Sequence, residues 1–158
     1  MSVQSIHIPG WKDIEIDTLI FDFNGTLAED GILREPTKEA LKLLASLYSI
    51  HILTSDTYGS VVEECKDLPA VIHRLNSKNH SQEKEDYVKH RFNGKVAAIG
   101  NGANDELMLE AADLSIAVLG GEGCSPRTLF RAHIVVKTIE EAIGLLSHPQ
   151  RLVATLRR

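Results

Sequence analysis

Asp22 stands where a stable fold gains nothing from a carboxylate. Leu19, Ile20 and Phe21 read as a buried strand, and Asp22 follows, with Phe23, Asn24, Gly25 and Thr26 after it. A buried carboxylate without a partner costs several kcal/mol or gives up its charge. The position therefore calls for a cation beside it or for chemistry at the carboxylate. Two further apolar runs end in polar residues: Thr54-Ser55-Asp56 after Ile52-Leu53, and Gly100-Asn101-Gly102-Ala103-Asn104-Asp105 after Ala98-Ile99. A carboxylate, a hydroxyl, a lysine and an amide/acid cluster suit phosphoryl transfer, with Asp22 as the nucleophile that becomes an aspartyl phosphate. The transferring group is anionic, so it needs a cation and hydrogen-bond donors. Mg²⁺ prefers hard oxygens and keeps waters. Asp22, the main-chain carbonyl of Asn24, Asn101 Oδ1 and Asp105 through water are the candidate ligands. Gly25 lets the backbone turn sharply and present N–H groups to a phosphate. Thr54, Ser55, Lys84 and Asn104 complete the candidate phosphate contacts, with Lys84 balancing the charge of Asp22 and phosphate.

The elements that must position these residues alternate along the chain. Apolar runs at 5–9, 16–23, 50–56, 70–75, 94–100, 114–119 and 132–136 read as strands. Residues 35–49 carry Ala40, Leu41, Leu43, Leu44 and Leu47 on one face and read as a helix with Thr37 at its N-cap. Helices are also expected over 58–66, from Ser81 through a charged stretch, over 104–113, over 138–147 and over 149–157. This order predicts an α/β fold: one three-layer α/β/α domain over 1–158 with a mainly parallel sheet. Residues 1–15 form an N-terminal arm or hairpin and 148–158 a C-terminal helical tail. Sites in such sheets form beyond the carboxyl ends of the strands. If the three strands ending at Asp22, Thr54 and Gly100 are neighbours, their polar residues converge.

Composition narrows the function classes. The 158 residues suffice for one domain with a sizeable core. A net charge of −5 without a basic block argues against nucleic acid as the main partner. No apolar run approaches the ~20 residues of a membrane helix, and the N-terminus lacks the pattern of a signal peptide. Cys65 and Cys124 sit in unrelated contexts, as expected of reduced thiols in a cytoplasmic protein.

"DFNGTLAEDG", "ILTSD", Lys84 and "IGNGANDELMLEAADLSIAV" resemble, in that order, the four motifs of the haloacid dehalogenase-like (HAD) superfamily. The chain is similar above all to the small soluble P-type ATPase-like proteins, stand-alone relatives of the phosphorylation domain of P-type ATPases. The ending "PQRLVATLRR" is also similar to that group. The resemblance implies a Rossmannoid fold and a hydrolase acting on phosphate esters or anhydrides. It further implies Asp22 as nucleophile, Thr54 and Lys84 on the phosphoryl group, and Mg²⁺ held by the first and fourth motifs. The short segments after the first and second motifs imply a member without a cap domain.

Two positions depart from the family pattern. HAD phosphatases usually have an Asp two residues after the nucleophile, where this chain has Asn24. An amide cannot shuttle a proton, and general acid–base help is worth ~10²–10⁴-fold in rate. The fourth motif has Asn101 where Asp is usual, although the soluble group tends to carry this Asn. Slow turnover and a long-lived aspartyl phosphate are expected. The alternative is a non-hydrolytic module that binds phosphate or keeps a phosphoaspartate as a signal.

Blander readings stand beside these. Asn24-Gly25 alone is a turn signal. Lys84 alone is a solvated helix charge, as "EKED" suggests, and Lys95 is its rival. Ser55 and Asp56 are helix caps or site residues. Glu29 and Asp30 belong to a solvated flap turn. Trp11 anchors the N-terminal arm or a subunit contact. The apolar segment "LLSHPQRLVATL" makes a homodimer a possible assembly. Asn24-Gly25, Asn93-Gly94 and Asn101-Gly102 are open to deamidation, because Gly leaves the succinimide path unhindered.

Overall fold

The computed structural model describes residues 3–55 and 60–158. Asp56, and the start of the expected helix 58–66, lie outside them. The chain opens with an antiparallel hairpin, β1 (Gln4–His7) and β2 (Asp13–Ile16). The main sheet then builds from β3 (Thr18–Asp22), β4 (Ser49–Thr54), β5 (Ala70–Arg74), β6 (Val96–Gly100), β7 (Leu114–Val118) and β8 (Ile134–Val136). Its order is β5-β4-β3-β6-β7-β8 and every pairing is parallel. The three strands that end in candidate site residues, β4, β3 and β6, are therefore neighbours.

Helices cover both faces. They are α1 (Glu35–Leu44), α2 (Ser60–Glu64), α3 (His80–Arg91), α4 (Glu106–Ala111), α5 (Pro126–Arg131), α6 (Ile139–Ser147) and α7 (Pro149–Leu156). A 3₁₀ turn over Ala103–Asp105 leads into α4. Strand alternation splits the core in two. Leu19 and Phe21 of β3 join the apolar side chains of α1, α6 and α7, whereas Ile20 joins those of α3 and α4. Asp22 continues the Ile20 face. Among the described residues no domain is inserted between β3 and β4 or between β4 and β5; a flap turn with α1, and α2, lie in those connections.

Several boundaries differ from the pattern-based reading. The strand expected over 16–23 is two strands, because Asp17 separates the hairpin from the sheet. Helix α1 starts earlier than Thr37: Arg34 is its N-cap, and Pro36 sits in the first turn, where its missing N–H costs nothing. Thr37 is buried instead, and its hydroxyl donates to Glu140 of α6 at 3.0 Å. The helix ends at Leu44, since Tyr48 turns inward to donate its hydroxyl to the Leu146 carbonyl at 2.8 Å. Helix α3 begins at His80, not Ser81, with the Asn79 side chain accepting from the Gln82 N–H. Helix α5 has no counterpart in the pattern-based reading. Lys95, expected within a strand, has φ +68 and stands at the amino end of β6, near Glu15 and across the sheet from the candidate site.

Trp11 anchors the hairpin: it packs against the core, with its ring edge-on to His133. The apolar face of α7 is covered within the chain, with Leu152 fully buried and Val153 and Leu156 packed against the core. Among the described residues no helix is long and apolar enough to cross a membrane. Replacing Leu152 with Ala should destabilise the fold by about 2–5 kcal/mol, the usual cost of a buried Leu→Ala change, as read by urea unfolding. A protein in which α7 merely rested on the surface would show almost no change.

Candidate active site

The site is assembled where β3 and β6 end. Asp22 is the last residue of β3, and Asn101 directly follows β6. Lys84 reaches in from the first half of α3. Its ammonium donates to Asp22 Oδ1 at 2.8 Å, Asp105 Oδ1 at 2.7 Å and Asn104 Oδ1 at 2.9 Å. An ammonium has three protons, so these acceptors use its full capacity. Lys84 is 1% exposed and Asp105 fully buried. Lys84 is thus no solvated helix charge, and Lys95 is no rival.

Thr26 links the other side. Its hydroxyl lies 3.1 Å from Asp22 Oδ2 and 3.0 Å from Asn101 Oδ1. Thr26 was not among the candidate ligands or contacts; its signal was its place four residues after the buried acid. Asn101 is held from behind by its Nδ2, which donates to the Gly123 carbonyl at 3.0 Å. Its own carbonyl accepts from Ser125 N–H, and Thr128 of α5 donates to the Gly102 carbonyl. The unforeseen α5 is therefore a support for the fourth-motif loop.

Two glycines are demanded by close approach. Gly25 has φ +81, and a Cβ there would come within 2.5 Å of Asn101 Nδ2. A Cβ on Gly100 would meet the Asp105 carboxyl at 2.7 Å. Asp105, expected to reach a cation through water, has both oxygens engaged. Oδ1 takes Lys84, and Oδ2 accepts from the N–H groups of Asn101 and Gly102 at 3.0 Å each. It works as a brace for the lysine and the loop.

The remaining candidates lie around this cluster. Thr54 is buried, one residue beyond Leu53, which pairs in register with Asp22. Asn104 turns its Oδ1 to Lys84. Asn24 and Ser55 are exposed. Glu29 and Asp30 lie in an exposed flap turn, where the Asp30 N–H donates to Glu122. Among the described residues no three His, Cys, Asp or Glu side chains gather as a metal site, so a cation here must also use amide or backbone oxygens.

Electrostatics follow from burial. Desolvation and the neighbouring Asp105 charge push Asp22 up to about 7, against the pull of Lys84. Burial alone would lower the Lys84 pKa, but the charges of Asp105 and Asp22 hold it above its usual value. With all three groups ionised, the cluster carries two negative charges and one positive.

Comparison with solved structures decides the fold. A Legionella pneumophila protein assigned to the HAD superfamily (subfamily III A) matches with a TM-score of 0.69, over 89% of this chain and 87% of that one, at 19% identity. The fold is HAD-like, with no inserted cap domain among the described residues. The 3-deoxy-D-manno-octulosonate 8-phosphate phosphatase of Moraxella catarrhalis, solved with magnesium, phosphate and KDO, matches with a TM-score of 0.68 at 17% identity. That match covers 90% of this chain and 94% of the phosphatase. In sequence, the chain belongs to one family with an uncharacterized Methanocaldococcus jannaschii protein, 49% identical over 73 residues, which are 46% of this chain and 78% of that protein. A soluble P-type ATPase-like phosphatase of the same organism is 26% identical over 134 residues. That stretch is 82% of this chain, and the chain spans about half (49%) of that relative's length. No family model matches the chain.

Two outcomes follow for the candidate site. A carboxylate raised from 3.8 to about 7 on folding favours the folded state while protonated and loses that contribution as pH rises through the folded value. Metal-free protein should therefore lose stability between about pH 4 and 7. Asp22→Asn should remove this slope and melt higher than wild type at pH 8 in EDTA, with the difference gone at pH 4. On deamidation, the Gly25 N–H is tied to the Ala28 carbonyl at 2.8 Å and the Gly102 N–H to Asp105, so Asn24 and Asn101 are protected from succinimide closure. Asn93-Gly94 lies exposed after α3. Peptide mapping of aged protein should find deamidation at Asn93 first and the two site amides intact.

Proposed function

We propose that the protein is a magnesium-dependent phosphohydrolase or phosphotransferase in which Asp22 takes the phosphoryl group as an aspartyl phosphate. The observation that carries this reading is the buried Lys84 ammonium shared by Asp22, Asn104 and Asp105. The Moraxella phosphatase, which shares the fold and was solved with magnesium and phosphate, supports it, as does the phosphatase name of the P-type ATPase-like relative. The residues present suit magnesium. Asp22 Oδ2 and Asn101 Oδ1 flank the one Thr26 hydroxyl, both are hard oxygens, and the cluster carries excess negative charge. The Asn24 carbonyl is the third proposed ligand. Bound there, magnesium supplies charge neutralisation for the phosphoryl oxygens.

The side chains divide the work. An Asp22 oxygen attacks phosphorus, the bond to the leaving group breaks, and the leaving group departs with the electron pair. Lys84 favours the ionised form of Asp22 against the effect of burial and offsets phosphoryl charge, and Thr54 donates a hydrogen bond to a phosphoryl oxygen. Asn24, exposed at the mouth, can donate a hydrogen bond but cannot pass a proton. The leaving group takes its proton from water, and the water that cleaves the acyl phosphate meets no base. Slow release of phosphate is the consequence. That same exposed amide favours the second reading, in which the phosphoaspartate persists as a signal to a partner.

Incubation with magnesium and acetyl phosphate, reading free phosphate and phosphoryl mass together, tests both. Wild type should carry a phosphoryl adduct and release phosphate slowly, and Asp22→Asn should do neither. Asn24→Asp should quicken release by ~10²–10⁴-fold, the usual return from general acid–base help. An adduct that forms and never turns over selects the signalling reading. Absence of both adduct and release, with acetyl phosphate and with a panel of phosphomonoesters, would overturn the role of Asp22.

A further inference from the structure

Glu83 precedes Lys84 in a charged run, yet its carboxylate is turned inward, with the side chain 16% exposed. It lies in the first turns of α3 and reaches back past the start of the helix. Oε1 accepts from the N–H groups of Asn76 at 3.0 Å and Ser77 at 2.9 Å. Oε2 lies 3.1 Å from His73 Nε2 on β5. The Asn79 side chain caps the same helix end, and the Ser77 hydroxyl donates to the Asn79 carbonyl. One carboxylate thus ties β5, the 76–79 connection and the start of α3 together, one residue before the lysine that reaches Asp22.

The other acids of this stretch find their partners on the helix, although Glu85 is no more exposed than Glu83. Glu85 pairs with Lys89, and Asp86 lies near His90, both along α3 itself. Glu83 alone among them bonds to backbone outside the helix. Burial would raise its pKa, but the hydrogen bonds from Ser77, His73 and Asn76 outweigh that and hold it at about 2. It is therefore ionised across the working range of any such enzyme.

We infer that Glu83 is a positioning residue: it sets the start of α3 against β5 and so places the Lys84 ammonium on Asp22 and Asp105. The inference deepens the proposed phosphoryl chemistry and rests on it for its catalytic consequence. Lys84 serves three oxygens at 2.7–2.9 Å, so a small displacement of its helix costs all three bonds. A misplacement of about 1 Å away from the reacting atoms can reduce rate by about a hundredfold.

The test pairs Glu83→Ala and Glu83→Gln with Glu39→Ala, which removes an exposed carboxylate paired with Lys42 on α1. Three readings are taken: thermal unfolding, the ¹H–¹⁵N signal of the Lys84 ammonium, and kcat and KM for p-nitrophenyl phosphate with magnesium. A buried, fully bonded ammonium exchanges its protons slowly and gives a signal. Glu83→Ala should stay folded at the assay temperature and lose that signal. Its kcat should fall about ten- to a hundredfold with KM within twofold. Glu83→Gln, which keeps an acceptor, should recover part of both, and Glu39→Ala should match wild type. A Glu83→Ala protein that melts lower but keeps the Lys84 signal and kcat would overturn the inference and leave Glu83 as a helix anchor only. If wild type has no turnover, the proposed function fails separately, and the ammonium signal still decides whether Glu83 places Lys84.

Discussion

A single ammonium holds the centre of this molecule together. Lys84, almost wholly buried itself, brings one positive charge among Asp22, Asn104 and Asp105. Two carboxylates at this depth could not both stay ionised without it. The arrangement does little for stability, since the cost of desolvating buried ions offsets much of their mutual attraction. Stability comes instead from the two apolar faces of the sheet. The cluster imposes demands on everything near it: glycine at 25 and 100, a brace at Asp105, and a helix whose start is fixed to within a hydrogen-bond length.

The fold separates these tasks by strand alternation. Leu19 and Phe21 face α1, α6 and α7, which also receive the N-terminal hairpin. Ile20 and Asp22 face α3, which brings Lys84. One side of the sheet is therefore almost wholly apolar packing, and the other passes from apolar packing to charge at the strand ends. Because the strands are parallel, their carboxyl ends lie on one edge, so Asp22 and Asn101 meet at Thr26 without long loops and Thr54 ends the neighbouring strand on the same edge.

Some of this was legible residue by residue. Asp22 stood out because a carboxylate ends an apolar run, and Asn101 and Asp105 because a Gly-Asn-Gly segment follows another. Lys84 was ambiguous: its neighbours Glu83, Glu85 and Asp86 look like a solvated face, and no local pattern reveals that α3 turns one lysine inward. Thr37 looked like a helix cap because capping is a local preference; a tertiary partner, Glu140, claimed its hydroxyl and Pro36 moved the start forward. The short α5 gave no periodic signal in six residues, yet it buttresses the Asn101 loop.

By itself the sequence determined the class of fold and the candidate chemistry. Alternating apolar runs and amphipathic stretches report burial, and burial is written locally in side-chain type. The tertiary structure decided which candidates share a site and in what role. It joined Lys84 to Asp22 across 62 residues of chain, made Thr26 the link to Asn101, and set Asp105 to brace both Lys84 and the Asn101 loop. Such roles depend on the distances and directions between atoms far apart in the chain. Those are set by how the strands and helices pack, and no residue type carries them.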